Sequence, residues 1–178
     1  MNTVVKTFLS LVYVLLFGFF FSFQTPSAYA LDQAQAIIRS TEDNTVMGQV
    51  DFLETYGGVF MDVTMINSPP GLHGIHIHEN GSCEDGAKAA GGHFNPDGVK
   101  HGILIKDGLA AAHAGDLGNI RISDKGTGLL REDLPLSLTE GKYAIVGRSI
   151  ILHAQADDLS QPTGNAGDRL GCGVIVQQ

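Results

Sequence analysis

Residues 46–66 read VMGQVDFLETYGGVFMDVTMI. Val46, Gly48, Val50 and Phe52 recur at every second position, and beyond Tyr56-Gly57-Gly58 so do Met61, Val63 and Met65. A period of two sends alternate side chains to opposite faces of an extended chain, whereas a helix repeats every 3.6 residues. The paired glycines supply a turn between the two runs. The stretch predicts two strands, each with one face on a core.

The same reading extends in both directions. Ala36–Arg39 is a candidate strand before it. The breaker Asn67-Ser68-Pro69-Pro70-Gly71 follows, then Leu72–His78. Later candidates are His113–Ile122, Gly128–Leu138, Ala144–His153 and Cys172–Val176. Many short strands with closely spaced turn signals predict an all-β antiparallel sandwich or barrel. Two irregular stretches interrupt it, from Asn80 to about Ala111 and from Ala154 to Leu170. Loops of this length inside a compact domain are usually functional and need something to order them.

Composition agrees. Twenty-two of the 23 glycines lie beyond Ala30, which argues for turns over long helices. Six of the nine Phe precede Ala30 and Trp is absent, so the core must be largely aliphatic. No internal repeat, low-complexity tract or linker divides the chain. Nineteen acidic against 11 basic side chains give a formal charge of −8, with no basic patch, which excludes a nucleic-acid binder.

The first thirty residues differ in kind. Lys6 is their only charge, Phe8–Phe23 is almost wholly apolar, and Ala28-Tyr29-Ala30 follows Pro26. A basic start, an apolar stretch and an A-x-A end are the parts of a secretory signal peptide. The alternative is an uncleaved anchor, but an apolar run of about sixteen residues falls short of a full span. The expected division is a signal peptide over 1–30 and one domain over 31–178, with no membrane association after cleavage. Loss of Lys6 would take the charge from −8 to −9. Cys83 and Cys172 are the only cysteines. An exported chain meets an oxidising compartment, which favours one bridge between them over two buried thiols.

All seven histidines fall in the later part: His73, His76, His78, His93, His101, His113 and His153. His76 and His78 share one face of a candidate strand, while His73 has the parity of Ile75 and Ile77. A His-x-His pair on a strand fixes two imidazoles on a rigid element. With Asp116 three residues after His113, the donors suit zinc or copper better than calcium or magnesium. They are too many for one tetrahedral site. A zinc hydrolase signature such as H-E-x-x-H is absent, and no Ser or Cys nucleophile with a partner base is evident.

Five segments, in order, resemble the exported copper/zinc superoxide dismutases. They are Gly71-Leu72-His73-Gly74-Ile75-His76-Ile77-His78-Glu79, Gly92-His93-Phe94-Asn95-Pro96, His113-Ala114-Gly115-Asp116-Leu117-Gly118-Asn119, Gly147-Arg148-Ser149-Ile150-Ile151-Leu152-His153, and Gly164-Asn165-Ala166-Gly167-Asp168-Arg169-Leu170-Gly171-Cys172-Gly173. The resemblance covers nearly all of 31–178. It implies an eight-stranded Greek-key β-barrel or flattened sandwich of immunoglobulin-like architecture with two long ordered loops. It implies an antioxidant enzyme that converts superoxide to oxygen and hydrogen peroxide with one copper and one zinc per chain. By the same resemblance His76, His78, His93 and His153 ligate copper, and His93, His101, His113 and Asp116 ligate zinc. His93 is then the shared ligand and proton carrier, and Arg169 guides the substrate anion. Asp157 links a copper ligand to a zinc ligand, Cys83 pairs with Cys172, and His73 is structural. The family includes monomers and homodimers.

The compartment is expected to be the bacterial periplasm, with the cell exterior as the alternative. Asn80-Gly81-Ser82 is the only glycosylation sequon, two residues past a copper ligand, where a glycan would crowd the site. Three features depart from the family: only three residues separate Glu79 from Cys83, the His153–Arg169 loop is short and lacks Lys, and Asp168 adjoins the guiding arginine. Asp168 would weaken the arginine's field, unless it turns outward and is solvated. Lys88 and Lys100 in the other loop are candidate compensating charges.

Overall fold

The chain alternates as its sequence predicts. In a computed structural model, which describes residues 32–178, eight main strands form one antiparallel sheet. The proposed signal segment lies outside the described residues. The strands are β1 Gln33–Ser40, β2 Val46–Thr55, β3 Gly58–Met65, β4 Gly71–His78, β5 Asp116–Ile122, β6 Gly128–Leu134, β7 Ser149–His153 and β8 Arg169–Val174, with a two-residue β9, Val176–Gln177, beside β1. Their order is β5-β4-β7-β8-β1-β2-β3-β6. β2 and β3 form the hairpin read from residues 46–66, in register from Gly48 opposite Met65 to Thr55 opposite Gly58.

The ends of that order, β5 and β6, are consecutive in sequence and joined by a tight turn, where Ser123 N–H donates to Thr127 O at 2.8 Å. At Gly128 a Cβ would stand 2.6 Å from Ile122 Cδ1 and 2.7 Å from Arg121 O, so only glycine permits this approach. The sheet thus curls into a nearly closed barrel with Greek-key connections, β4 pairing with β7 and β8 with β1. Inside, Ile38, Val50, Phe52, Met61, Val63, Ile75, Ile77, Ile120 and Leu152 are fully or almost fully buried. The core is aliphatic but for Phe52 and Phe94.

Strand ends differ from the sequence reading for local reasons. The Gly128–Leu138 run stops at Leu134 because Pro135 has no N–H to continue a ladder. The Ala144–His153 run keeps only Ser149–His153, since Gly147 turns the chain at φ 82°. β1 begins earlier than Ala36, with Ala34, Ala36 and Ile38 facing inward between outward Gln and Arg side chains. The last run, Cys172–Val176, is split into β8 and β9.

β4 is the strand that positions the site. Both of its faces are buried from His73 to His78, with Ile75 and Ile77 in the core and His76 and His78 under the long loops. The first loop, 79–115, contains only a short helical turn, Lys88–Ala90, and a single helical turn, α1 Leu104–Asp107. A Cys83–Cys172 disulfide, with Cα atoms 5.7 Å apart and a sequence separation of 89, ties that loop to β8. Closing so long a loop removes about 4–5 kcal/mol of unfolded-state entropy in the chain-entropy account. Among the described residues no helix is long and apolar enough to cross a membrane.

Candidate metal centre

Phe94 is threaded between two neighbouring segments. Its N–H donates to Ile77 O and its carbonyl accepts from Gly115 N–H, both at 2.9 Å, while Ile77 N–H donates to Gly115 O at 2.9 Å. A Cβ on Gly115 would overlap the Ile77 carbonyl, so glycine is required for that packing. The effect is to set His93 directly against His78. On the other side of β4, His76 pairs across the strands with Asp116 at the start of β5. β7 ends at His153, which lies opposite Arg169 on β8.

Three buried donor groups result, two of four residues and a third, His76, His101 and Asp157, that links them. His76, His78, His93 and His153 form one of the four-residue groups, and His93, His101, His113 and Asp116 the other, each with its ligand atoms within 4.8 Å of one another. His93 belongs to both four-residue groups. His73 belongs to neither; it is buried with Nδ1 2.9 Å from the His153 carbonyl oxygen.

In the all-histidine group the outer nitrogens are engaged. His76 Nε2 is 2.8 Å from Asp157 Oδ2, His78 Nδ1 3.0 Å from Gly91 O, and His153 Nδ1 3.1 Å from Gly167 O. Donating outward fixes each tautomer and leaves a lone pair facing inward. His76 Nδ1 is buried without a partner, and His78 Nε2 faces His153 Nε2 at 3.4 Å.

In the second group three imidazole nitrogens crowd one oxygen. Asp116 Oδ1 is 2.8 Å from His93 Nδ1, 2.9 Å from His101 Nδ1 and 3.0 Å from His113 Nδ1. Only the His93 contact has hydrogen-bond geometry; His101 Nδ1 and His113 Nδ1 are buried without partners. Orphaned buried nitrogens are costly unless a cation takes their lone pairs. The spacings approach the roughly 3.3 Å edge of a tetrahedron whose bonds are about 2.0–2.1 Å. Three imidazoles and a carboxylate suit zinc, and imidazoles alone suit copper. Both metals fit the residues present.

Asp157 joins the groups, its carboxylate 2.9–3.0 Å from His101 Nε2 as well as contacting His76. Asn119 brackets the Asp157 backbone, accepting from its N–H at 2.7 Å and donating to its carbonyl at 2.9 Å. A Cβ on Gly164 would overlap the Asp157 carboxylate, so that position must be glycine. The sequence named Asn119 and Gly164 within motifs but gave neither a role.

Burial, reinforced by neighbouring imidazoles and by Arg169, pushes His78 down to about 2 and His153 down to about 3. Burial also lowers His93 to about 4, against the pull of Asp116. These rings are neutral at physiological pH, as metal ligation requires. For His101 burial acts downward, but Asp116 and Asp157 outweigh it and raise the ring to about 9. Burial acts upward on Asp116 and Asp157, yet their imidazole partners hold both carboxyls well below the usual range.

A pH prediction follows for the metal-free protein. His93, His153 and His78 bind fewer protons folded than unfolded below their ordinary 6.5. Their contribution is therefore lost as pH falls from 6.5 through about 4 and below. His101, raised instead, contributes fully below 6.5 and loses that contribution as pH rises toward about 9. Calorimetric melting across pH should show a maximum between those limbs; a melting temperature that rises steadily down to pH 4 would contradict the acid limb.

Arg169 lies beside the all-histidine group, opposite His153 across the strands and sharing the Gly91 carbonyl with His78. Its guanidinium donates to the Ala87 carbonyl and, at 2.6 Å, to the Gly91 carbonyl, both in the loop that the disulfide anchors. Lys88 directly follows Ala87 in that loop and is exposed, as is Lys100. Asp168 is exposed and, among the described residues, forms no ion pair with Arg169. The outward, solvated reading of Asp168 is the one the geometry supports.

Comparison with known proteins agrees with this arrangement. The family model described as copper/zinc superoxide dismutase matches residues 46–175. The chain is 43% identical over 137 residues to an extracellular superoxide dismutase [Cu-Zn] of Haemonchus contortus, covering 72% of this chain and 73% of that protein. It is 41% identical over 154 residues to superoxide dismutase [Cu-Zn] 2 of Brassica juncea, covering 80% and 96%. Among solved structures, a double mutant of a SOD-like protein from Bacillus subtilis superimposes with a TM-score of 0.71 at 33% identity, over 80% of this chain and 96% of that one. The barrel, the two donor groups and these matches lead to one conclusion: the chain belongs to the copper/zinc superoxide dismutase family, copper- and zinc-dependent oxidoreductases that remove superoxide.

Proposed function

We propose that His76, His78, His93 and His153 hold the copper, and that His93, His101, His113 and Asp116 hold the zinc, one of each per chain. The observation that carries this reading is the shared position of His93, whose Nδ1 faces Asp116 and leaves Nε2 for the all-histidine group. Bound copper supplies a centre that takes one electron from a first superoxide and returns it to a second, and bound zinc supplies fixed charge. The balance is two superoxide anions and two protons to one oxygen and one hydrogen peroxide.

The chain's own residues do the rest. Arg169 presents a permanent positive charge to the anion, held in place by the Ala87 and Gly91 carbonyls. Its charge lowers both His78 and His153, so its field reaches the copper side. Whenever its Nε2 is not engaged by copper, His93 would carry there one of the two protons delivered to the second superoxide, the other coming from solvent. Asp157 orients His76 and His101 together, and so couples the placement of the two metals. Purified protein loaded with both metals should remove superoxide and contain one copper and one zinc per chain; a single metal per chain would refute the assignment.

Arg169→Ala isolates the steering role. At low ionic strength its second-order rate should fall about 10-fold or more, with metal content unchanged. Its salt dependence should also flatten, because screening has less attraction to remove. Parental rates and slopes in stopped-flow assays would leave Arg169 without this role.

Export through residues 1–30, leaving 31–178 as the mature enzyme, completes the reading, with the periplasm favoured over the cell exterior. The disulfide and the name of the Haemonchus contortus relative support export. Asn80 donates its side-chain amide to Ala89 O at 3.2 Å, close beside His78, which favours a route without glycosylation.

A further inference from the structure

His101 lies in neither a strand nor a helix, yet its ring must face two carboxylates at once. Its Nδ1 is 2.9 Å from Asp116 Oδ1 and its Nε2 is 2.9 Å from Asp157 Oδ2. A side chain aimed this way from irregular backbone needs that backbone fixed. Gln161, in the second long loop, supplies the fixation. His101 N–H donates to Gln161 Oε1 at 3.0 Å, and Gln161 Nε2 donates to the His101 carbonyl at 2.9 Å. Engaging both the N–H and the carbonyl of one residue reproduces a rung of an antiparallel ladder. It fixes both the position and the orientation of the His101 backbone. Asn119 treats the Asp157 backbone in the same way, so the His101–Asp157 pair is gripped by an amide at each end.

We propose that Gln161 is a positioning residue of the zinc site, docking the 154–168 loop onto His101 and aiming its ring between Asp116 and Asp157. The proposal rests on the assignment of His101 to zinc. An amide does this without a charge, because its adjacent N–H donor and carbonyl acceptor lie on one plane and point the same way. A carboxylate would keep the bond from His101 N–H but place its second oxygen against the carbonyl.

Gln161→Ala and Gln161→Glu test it in the full mature protein loaded with copper and zinc. Gln161 is exposed, so neither change opens a core cavity. Transfer of zinc to a competing chelator should quicken roughly 10-fold in Gln161→Ala, in the range typical for partners of metal ligands. Gln161→Glu should fall between it and the parent. Cobalt(II) placed in the zinc site should show shifted visible bands in Gln161→Ala. Copper release and the melting temperature of the metal-free protein should match the parent. Parental zinc release and cobalt bands in both variants would overturn the proposal. So would a lowered metal-free melting temperature with unchanged cobalt bands, which is what a plain loop contact would give. If the parent itself bound zinc with no dependence on His101, the zinc assignment would fall instead.

Discussion

His153→Ala is expected to abolish superoxide removal and copper binding while leaving zinc near its parental content. His153 closes β7 with Nδ1 fixed on Gly167 O and Nε2 facing His78. It belongs to the all-histidine group alone. Removing a ligand should weaken copper by more than the roughly 100-fold that loss of an outer hydrogen-bond partner can cost. The barrel should survive, because the remaining strand, Ser149–Leu152, keeps its core contacts. Elemental analysis beside a dismutation assay reads both effects. Equal depletion of both metals would show that the two groups are not separable and that the assignment is wrong.

Asp116→Ala should do the converse. The carboxylate is fully buried, touches three imidazoles, and accepts at 2.9 Å from both Gly102 N–H and His113 N–H. Its loss strips the zinc group of its only anion and orphans two backbone donors, at about 1–3 kcal/mol each. Zinc should be lost and the 79–115 loop loosened. Copper should be retained, with activity falling less than in His153→Ala. Hydrogen exchange of Gly102 and His113 amides should rise strongly. Unchanged protection there, or zinc retained at parental affinity, would contradict the role given to Asp116.

How much of this was legible in the sequence depends on the range of the interaction. The β2–β3 hairpin was readable because its hydrophobic alternation and its two glycines are local. The start of β1 is hidden in the sequence, since Ala34 is a weak apolar marker and only pairing with Phe52 reveals its place. Apolar residues continue to Leu138, but the ladder ends at Leu134 because Pro135 lacks an N–H. The histidines were legible as clusters within motifs, and the structure brings them into two groups sharing His93. The grip of Gln161 on His101, 60 residues away, carries no local pattern at all. The carbonyl cradle of Arg169 was equally hidden, because backbone carbonyls have no signature in a sequence.

The two buried faces of β4 bear on how such a gene can change. His76 and His78 lie in the donor groups under the loops because Ile75 and Ile77 look toward the core. A slip of one residue exchanges the two sets completely. A single-codon insertion or deletion between Leu72 and Ile75 would thus place isoleucines under the loops and imidazoles among aliphatic side chains. Loop positions away from Cys83, Ala87, Gly91, Asp157, Gln161 and Gly164 bear no such constraint, because extra residues there cost only slowly growing closure entropy. Gains and losses of codons should accordingly accumulate in the stretches of the two loops between those anchoring residues, while the eight codons of β4 stay fixed in number.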